Sequence, residues 1–462
     1  MRANTFILLV SPWIHDFAAF DYWAKPLGLL HIASVLREEG FDVEIVDCLN
    51  DPAARTTEDT ARRRYGRGPY RKEEIPKPPV LSWVPRRYSR YGITPDQFRK
   101  RLRGARRPDA ILVTSGMTYW YPGVFESINI IRETLPGIPI ALGGIYATLC
   151  PDHARAYSGA DVVVEGDVLD RNNKSSIFLK EILATLLGRD IPAFRSRHPS
   201  FQIQYPAFDI LPSIDQVTLF TSRGCPYSCV YCASRVLDGD FRERDPFSVV
   251  DEIEYWNNRY GIRDFSFYDD ALMVNAERRL VPMLKEILRR NLECRFHCPN
   301  GMHLRGMNQT IAGLMYRSGF KTLRFGFETS RPQRQEIMGG KISNQEAEAA
   351  VEHLKWAGFR GEEIGFYLLC GLPGQERKEM EDTVEYVASL GVRPVIAEYS
   401  PVPRTALWPD ALASSPLDLA GEPLYHNNSI FPLLHGEEDR KFLQYLKQKA
   451  RQYDSRLRSR KA

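Results

Sequence analysis

Short apolar runs alternate with helix-length segments along most of this 462-residue chain, and that alternation limits the possible folds more than any other feature. Leu29, Ile32, Ala33 and Leu36 recur at helical spacing between the first two runs. Strands that alternate with amphipathic helices form parallel sheets with helices on both faces. The sequence therefore predicts an α/β fold that begins with a doubly wound, Rossmann-like domain over residues 1–190. Its strands are predicted at residues 5–12, 42–48, 109–116, 138–144 and 161–166.

The same alternation restarts after a proline-containing linker at residues 191–215. Six further apolar runs follow, and each pair is separated by a segment long enough for a helix. These runs lie at residues 216–220, 264–270, 294–301, 322–329, 363–373 and 394–401. Beyond residue 405 the chain loses strand character, and residues 406–462 are predicted to form a loop and a charged terminal helix. The length fits two domains of ordinary size.

The composition is that of an ordinary soluble globular protein, with 43% hydrophobic and 26% charged residues. No uninterrupted apolar stretch is long enough to cross a bilayer. The apolar run near the N-terminus is too short for a signal peptide, so we interpret it as a buried strand and expect a cytoplasmic protein. Thiols stay reduced in the cytoplasm. We therefore interpret five of the eight cysteines as core or pocket residues, namely Cys48, Cys150, Cys294, Cys298 and Cys370.

A basic segment at about residues 52–107 interrupts the first domain. Between residues 55 and 107 the chain has 17 Lys and Arg against 5 Asp and Glu, and aromatic residues are interspersed among them. Insertions of this length are usually functional or disordered. Three interpretations are open, which are a solvated surface loop, a lid over a cofactor or substrate, and a nucleic-acid surface. The last is the least favoured, because nothing else in the chain is typical of a nucleic-acid-binding module.

Three cysteines lie within eight positions, Cys225, Cys229 and Cys232, directly after the run that opens the second domain. Thiolates are soft ligands that select zinc, copper or iron–sulfur clusters. Structural zinc takes four ligands in paired spacing, and the sequence has no second CxxC or HxxxH pair. A 4Fe-4S cluster takes one cysteine per iron, so three cysteines leave one iron open to a substrate or cofactor. The spacing therefore indicates a cluster with one open coordination position.

This CxxxCxxC loop, with Tyr231 before its last cysteine, resembles the signature of radical S-adenosylmethionine (SAM) enzymes. The resemblance implies that the six βα units form a partial (β/α)6 TIM-type barrel, with a radical SAM core over residues 216–405. It also implies that S-adenosyl-L-methionine binds the open iron through its amino and carboxylate groups. One electron then cleaves the sulfonium and yields a 5′-deoxyadenosyl radical, so that the cofactors supply the difficult chemistry.

The resemblance also implies roles for residues at the carboxyl ends of the predicted strands, where the site of such a barrel lies. Tyr231 is expected to touch the adenine. Asp269 and Asp270 stand where the superfamily often has Gly-Gly-Glu, and an aspartate would then hold the methionyl amino group. Glu328 matches the acidic position that binds the ribose hydroxyls, and Ser400 lies at a further strand end.

Ser115, Met117, Gly143 and Gly144 follow the third and fourth strands of the first domain. Glycines there either turn the chain or let a ligand approach the backbone closely. The segments 115–117 and 143–144 resemble the Ser-x-Leu and Gly-Gly elements of cobalamin-binding domains, which implies that the four residues contact the nucleotide tail of cobalamin. The Asp-x-His-x-x-Gly element of many such domains is missing, and His15 is the only histidine in the corresponding loop. Any cobalamin is therefore expected to bind without a histidine ligand.

From about residue 5 to 405, the chain resembles the cobalamin (B12)-binding radical SAM enzymes. The first hypothesis is a transferase in which cobalamin carries a methyl group to an unactivated centre. The second is a radical enzyme that performs oxidation, cyclisation or rearrangement without methylation, and the third is a cofactor-binding sensor without turnover. The expected partners are a small-molecule or lipid substrate and a reducing electron donor such as flavodoxin or ferredoxin. We expect no membrane span and no nucleic acid.

Overall fold

The structure, a computed structural model, contains two compact units. One comprises residues 1–215 with 236–238, and the other comprises residues 216–235 with 239–462. The boundary between Asp215 and Gln216 lies at the predicted end of the linker. The structure describes residues 5–54, 58, 61–169, 178–192, 194, 205–434 and 436–459. Residues 195–204 of the predicted linker lie outside this described part.

Strands and helices alternate through the described part of the first unit. The strands are β1 (Phe6–Ser11), β2 (Ile14–Asp16), β3 (Phe20–Asp21), β4 (Asp42–Asp47), β5 (Gly68–Pro69), β6 (Lys72–Glu74), β7 (Ser89–Tyr91), β8 (Ala110–Val113), β9 (Ile140–Leu142) and β10 (Val162–Val163). The α-helices are α1 (Leu27–Glu38), α2 (Pro95–Gly104), α3 (Tyr121–Thr134), α4 (Ile145–Leu149), α5 (Pro151–Tyr157) and α6 (Phe178–Leu187). Five strands form one parallel sheet in the order β10-β9-β8-β1-β4, as predicted for a doubly wound fold.

The central strand β1 explains why the chain begins with an uninterrupted apolar run. All six of its residues are buried, and Ile7, Leu8 and Leu9 have no exposed surface. A parallel strand is covered by helices on both faces, so it cannot alternate apolar and polar residues as a half-exposed strand does. Because β8 and β9 run parallel to β1, their carboxyl ends and the residues that follow them lie at one edge of the sheet.

The basic segment contains short paired strands in its described part, so it is not irregular throughout. The strand β7 pairs antiparallel with β2 and with β6, and β5 pairs with β3. Tyr70 and Tyr91 are buried and pack with Ile14 in a small core, whereas Trp83 is exposed. The buried tyrosines contribute to packing in the first unit rather than to an aromatic surface.

A six-stranded parallel sheet forms the second unit, in the sequential order β11-β14-β15-β16-β17-β18, and matches the predicted partial (β/α)6 barrel. Its strands are β11 (Val217–Leu219), β14 (Asp264–Phe267), β15 (Arg295–Met302), β16 (Phe320–Glu328), β17 (Ile364–Cys370) and β18 (Arg393–Glu398). Two short strands, β12 (Ser222–Arg223) and β13 (Arg242–Glu243), form a separate antiparallel pair on either side of the cysteine loop. The helices from residue 234 onward are α7 (Ser234–Asp238), α8 (Pro246–Tyr260), α9 (Leu280–Arg289), α10 (Gln309–Arg317), α11 (Pro332–Ile337), α12 (Asn344–Trp356), α13 (Arg377–Ser389), α14 (Trp408–Ser414) and α15 (Glu437–Ser459).

The terminal helix α15 is amphipathic, which explains its charged sequence. Leu443, Leu446 and Ala450 are buried at helical spacing along one face. On another face, Lys449 forms ion pairs with two glutamates of α13, Glu381 at 2.6 Å and Glu385 at 2.5 Å. The helix therefore packs as part of the second unit. Within the described residues, none of the helices combines the length and the apolarity needed to cross a bilayer.

Replacing Gly144, which follows β9, should destabilise the first unit. Gly144 has φ +95°, and an added Cβ would lie 2.4 Å from the carbonyl oxygen and 2.6 Å from the amide nitrogen of Ser115. We expect Gly144→Ala to lower the free energy of unfolding by roughly 2–4 kcal/mol in urea denaturation. Gly137→Ala is the matched control, because Gly137 also has positive φ but open space around it. It should cost about 1 kcal/mol, and equal losses in the two variants would contradict the role of the Ser115 contact.

Candidate functional site

The three cysteines of the CxxxCxxC motif lie in the loop after β11, at the carboxyl edge of the six-stranded sheet. Cys225 is buried, Cys229 is partly exposed and Cys232 is exposed. The Cys232 amide donates to the Cys229 carbonyl oxygen over 3.1 Å, and the Ser234 amide donates to Cys232 Sγ over 3.4 Å. The turn between the last two cysteines is therefore fixed by backbone hydrogen bonds.

The donor set of this loop fits a multinuclear cluster. Within the described residues, no three His, Cys, Asp or Glu side chains converge closely enough to bind a single metal ion. In a 4Fe-4S cluster each thiolate binds a different iron, so the sulfurs have no need to converge on one point. Cys294 and Cys298 are both buried, at the start of β15 and within it, as expected for core thiols.

Asp269 anchors the chain where it leaves β11. Its carboxylate accepts the Thr221 amide at 3.0 Å, the Thr221 hydroxyl at 2.6 Å and the Ser222 hydroxyl at 2.7 Å. Burial raises the pKa of this carboxyl, and these bonds together with the charge of Arg279 oppose the rise. The side chain predicted as a cofactor contact is thus engaged with the backbone and hydroxyls that precede the cysteines.

Asp270 has a different environment from its neighbour. Its Oδ2 accepts the Ser234 hydroxyl at 2.5 Å, and its Oδ1 lies 3.5 Å from Asn300 Nδ2. Burial raises the pKa of the Asp270 carboxyl, while the bond from Ser234 lowers it. Ser234 is two residues beyond Cys232, so Asp270 is the aspartate that the structure places beside the end of the cysteine motif.

Glu328, Tyr231 and Lys341 form a closed group of side chains. The Tyr231 hydroxyl donates to Glu328 Oε1 over 2.8 Å, and Lys341 Nζ donates to both, at 2.8 Å from the tyrosine oxygen. Glu328 ends β16 at an irregularity in its pairing with β17 and has φ +70°. This conformation is strained for a residue other than glycine and is typical of functional positions. Two predicted site residues, Tyr231 and Glu328, are therefore in direct contact.

Two further side chains lie at the carboxyl ends of later strands. The Ser400 hydroxyl, after β18, donates to the carbonyl oxygen of His426 over 2.5 Å and so holds the C-terminal segment. His303 Nε2, after β15, lies 3.9 Å from Cys225 Sγ, and the His303 ring packs 4.4 Å from that of Tyr227. Burial, helped by the charges of Lys341 and Arg305, lowers the pKa of His303 to about 3, so this imidazole is neutral at ordinary pH.

In the first unit, Ser115 joins the ends of β8 and β9. Its hydroxyl donates to the Gly143 carbonyl oxygen over 2.7 Å and accepts the Ala147 amide at 3.2 Å. Gly144 packs directly on the Ser115 backbone, whereas an added Cβ on Gly143 would make only ordinary contacts. Met117 is 45% exposed at the same edge. The four predicted residues are thus gathered at the carboxyl edge of the sheet.

His15 is engaged inside the first unit. It lies on β2, is buried, and its Nε2 is 2.9 Å from Glu126 Oε2. Glu126 is held in turn by Arg90 Nε at 3.0 Å, and Tyr88 donates to the His15 carbonyl oxygen over 3.0 Å. The imidazole therefore lies beside a carboxylate inside the first unit.

Lys341 and Thr221 are site residues that the sequence alone did not reveal. Lys341 stands thirteen positions after Glu328 in a stretch with no recognisable periodicity, and lysine is seldom buried. Thr221 precedes the cysteine motif, where a threonine carries no particular signal. The only sequence signal for Lys341 is indirect: a carboxylate at Glu328 needs a positively charged partner.

Comparisons with known proteins agree with this geometry. A family model described as the Radical SAM superfamily matches residues 219–387. An uncharacterized methyltransferase of Pyrococcus horikoshii is 25% identical over 413 residues, which cover 84% of this chain and 79% of that relative. The cytidylyl-2-hydroxyethylphosphonate methyltransferase of Streptomyces wedmorensis is 23% identical over 446 residues, which cover 83% of this chain and 77% of that relative.

Among solved structures, the fold resembles TsrM of Kitasatospora setae, a radical S-adenosylmethionine methyltransferase whose structure has cobalamin and a 4Fe-4S cluster bound. The TM-score is 0.62 at 19% identity, and the match covers 90% of this chain and 80% of that chain. At this level of identity the likeness establishes the fold, including both the doubly wound unit and the partial barrel.

The two adjacent aspartates should differ in their effect on stability. In Asp269→Asn, the amide nitrogen would face donors of Thr221 and Ser222, so we expect a loss of roughly 2–4 kcal/mol in the free energy of unfolding of the second unit. Asp270→Asn is the matched control and should cost about 1 kcal/mol or less, since Asp270 bonds only to side chains. Urea denaturation followed by circular dichroism measures both, and equal losses would contradict the anchoring role of Asp269.

Proposed function

We propose that this chain, whose residues 219–387 belong to the radical SAM superfamily, is an enzyme that cleaves S-adenosylmethionine reductively and transfers a methyl group with the help of cobalamin. The main observation behind the proposal is that Cys225, Cys229 and Cys232 follow the first strand of a six-stranded parallel sheet. Tyr231, which precedes the last of these cysteines, donates a hydrogen bond to Glu328. The methyltransferase names of the two relatives and the fold of TsrM support it.

The cysteine loop would hold a 4Fe-4S cluster, and the side chains around it would orient the sulfonium ligand. Bound there, the cluster supplies the electron that converts S-adenosylmethionine into methionine and a 5′-deoxyadenosyl radical. Asp270 would accept hydrogen bonds from an ammonium group, and Glu328 would accept them from hydroxyls. Tyr231, between two ligating cysteines, would contact the adenine. Ser400 would act through the loop that it fixes to His426.

The carboxyl edge of the first unit would hold cobalamin. Gly143 leaves space at the end of β9, and Ser115 and Gly144 keep the ends of β8 and β9 together. Ligands of doubly wound sheets bind beyond the carboxyl ends of the strands, and exposed Met117 lies there too. When bound, cobalamin supplies a methyl group carrier. Because the Asp-x-His-x-x-Gly element is missing, His15 is not proposed as one of the residues that would hold cobalamin.

The partners follow from this chemistry. A radical SAM enzyme needs one-electron reduction, so the proposed donor is a small protein such as flavodoxin or ferredoxin. The proposed substrate is a small molecule or a lipid intermediate whose carbon or phosphorus centre is not otherwise activated. Reduced thiols and a low-potential cluster fit the cytoplasm.

Removing one cysteine of the motif should abolish the radical chemistry. We expect anaerobically reconstituted wild-type protein to contain about four iron atoms per chain, and to release 5′-deoxyadenosine from S-adenosylmethionine when reduced. Cys229→Ala should lose both, because a cluster iron loses its only protein ligand, while the first unit stays folded. Iron analysis, chromatography of the products and circular dichroism measure these outcomes.

Cys298→Ala is the matched control, since Cys298 is buried within β15 and outside the motif. It should retain iron and cleavage, and a wild-type protein with neither would support the sensor hypothesis instead. With substrate present, S-adenosylhomocysteine should appear together with 5′-deoxyadenosine. Its absence during substrate conversion would favour oxidation, cyclisation or rearrangement over methyl transfer.

Cobalamin uptake tests the proposed role of the first unit. We expect purified protein to bind cobalamin, and His15→Gln to leave both uptake and the visible absorption spectrum unchanged, because the chain has no Asp-x-His-x-x-Gly element around His15. Gly143→Leu should prevent uptake by filling the space beyond β9 while the unit stays folded. A changed spectrum in His15→Gln would indicate histidine ligation, and full uptake by Gly143→Leu would place the cobalamin elsewhere.

A further inference from the structure

Residues Gly339, Gly340 and Lys341, which we call the GGK loop, connect α11 to α12 and contact the cysteine loop. Gly339 has φ +119°, and an added Cβ would lie 3.1 Å from Cys229 Cα and 3.3 Å from the Cys229 amide nitrogen. Only a residue without a side chain allows this approach of two backbones. The middle cysteine of the motif is therefore packed against a loop that lies more than one hundred residues later in the sequence.

Lys341 places a buried positive charge next to the cysteine loop. The residue is 9% exposed, and its Nζ donates to the Tyr231 hydroxyl at 2.8 Å and to Glu328 Oε1. Nζ also lies 5.5 Å from the centre of the Tyr231 ring. Burial lowers the pKa of this ammonium, but the charge and hydrogen bond of Glu328 oppose that effect, and the pKa lies above its usual value.

The backbone of β16 is shaped around this ion pair. An added Cβ on Gly326 would lie 2.7 Å from Lys341 Nζ and 2.8 Å from Glu328 Oε1. A side chain at position 326 would therefore displace the pair. In the described part of the chain, Oε1 takes the hydrogen bonds from Tyr231 and Lys341, and no protein donor reaches Glu328 Oε2.

We propose that Lys341 is a positioning residue of the cluster site, which fixes Glu328 and Tyr231 for the sulfonium ligand and sets a positive charge beside the cluster sulfurs. This inference rests on the proposed function. The ammonium takes up Oε1 of Glu328 and so leaves Oε2 as the acceptor for a ligand hydroxyl. A cation near a cluster also favours its more negative, reduced form, since net charge and hydrogen bonding set cluster potentials.

Two consequences separate this role from that of an ordinary buried ion pair. Loss of the ammonium should weaken the binding of S-adenosylmethionine to the loaded protein, and it should lower the midpoint potential of the cluster. A group that merely stabilised the fold would change neither quantity in protein that still contains its cluster.

The test uses reconstituted full-length protein with Lys341→Met, Lys341→Arg and the control Lys321→Met, in which an exposed lysine of β16 is removed. Electron paramagnetic resonance gives the midpoint potential and, from the signal change on adding S-adenosylmethionine, the dissociation constant. We expect Lys341→Met to bind S-adenosylmethionine about 10- to 100-fold more weakly and to have a lower potential. Lys341→Arg should restore the potential, and Lys321→Met should match the wild type.

A double variant keeps the test decisive if Lys341→Met fails to fold with Glu328 left unpaired. Glu328→Gln/Lys341→Met removes both charges. This change destabilises a protein less than the removal of one charge, which leaves the other buried and unpaired. Its potential should lie below that of Glu328→Gln, because only Lys341 differs between the two. Equal potentials in that pair, or wild-type affinity in loaded Lys341→Met, would overturn the inference. Wild-type protein that takes up no cluster would instead overturn the proposed function, and this inference with it.

Discussion

The conformation of the cysteine loop depends on a buried carboxylate, and the rest of the site depends on that conformation. Asp269 receives three donors from Thr221 and Ser222, at the point where the chain leaves β11. Hydrogen bonds to a charged group contribute about 1.5–3 kcal/mol each, so the start of the loop is firmly held. Further along, Gly339 packs on Cys229 and Lys341 holds Tyr231. The loop is thus fixed at its start and at its middle by protein contacts alone.

These contacts also balance the charge of the site. Thiolates, sulfide and the carboxylates of Asp270 and Glu328 would concentrate negative charge at one edge of the sheet, where Lys341 provides a buried cation. The guanidinium charges of Arg279 and Arg223 act there as well, on Asp269 and Asp270 respectively. The protein itself thus supplies cations beside the negative groups of the site.

The strands and the cysteine motif could be predicted from the sequence because each depends on local information. The run Phe6–Ser11 is apolar since both faces of β1 are covered, and the spacing of the three cysteines is itself the motif. The difference between Asp269 and Asp270 could not be predicted, because adjacent residues after a strand point in different directions and their partners lie 48 and 36 positions away. The role of Lys341 and the pairing of β7 with β2 could not be predicted for the same reason, since both depend on contacts between residues distant in sequence.

Glu328 illustrates how such distant contacts turn a strand end into a binding position. Its left-handed backbone conformation costs on the order of 1–3 kcal/mol. The register of β16 against β17 shifts at this residue, and such a shift changes the direction of a side chain relative to a regular strand. Two charge-assisted hydrogen bonds to Oε1, from Tyr231 and Lys341, are together sufficient to offset that cost. Because the protein stabilises Oε1 in this way, the orientation of Oε2 is fixed before any ligand binds. A carboxylate that is already oriented loses little conformational entropy on binding, which is the physical advantage of placing strain at this position.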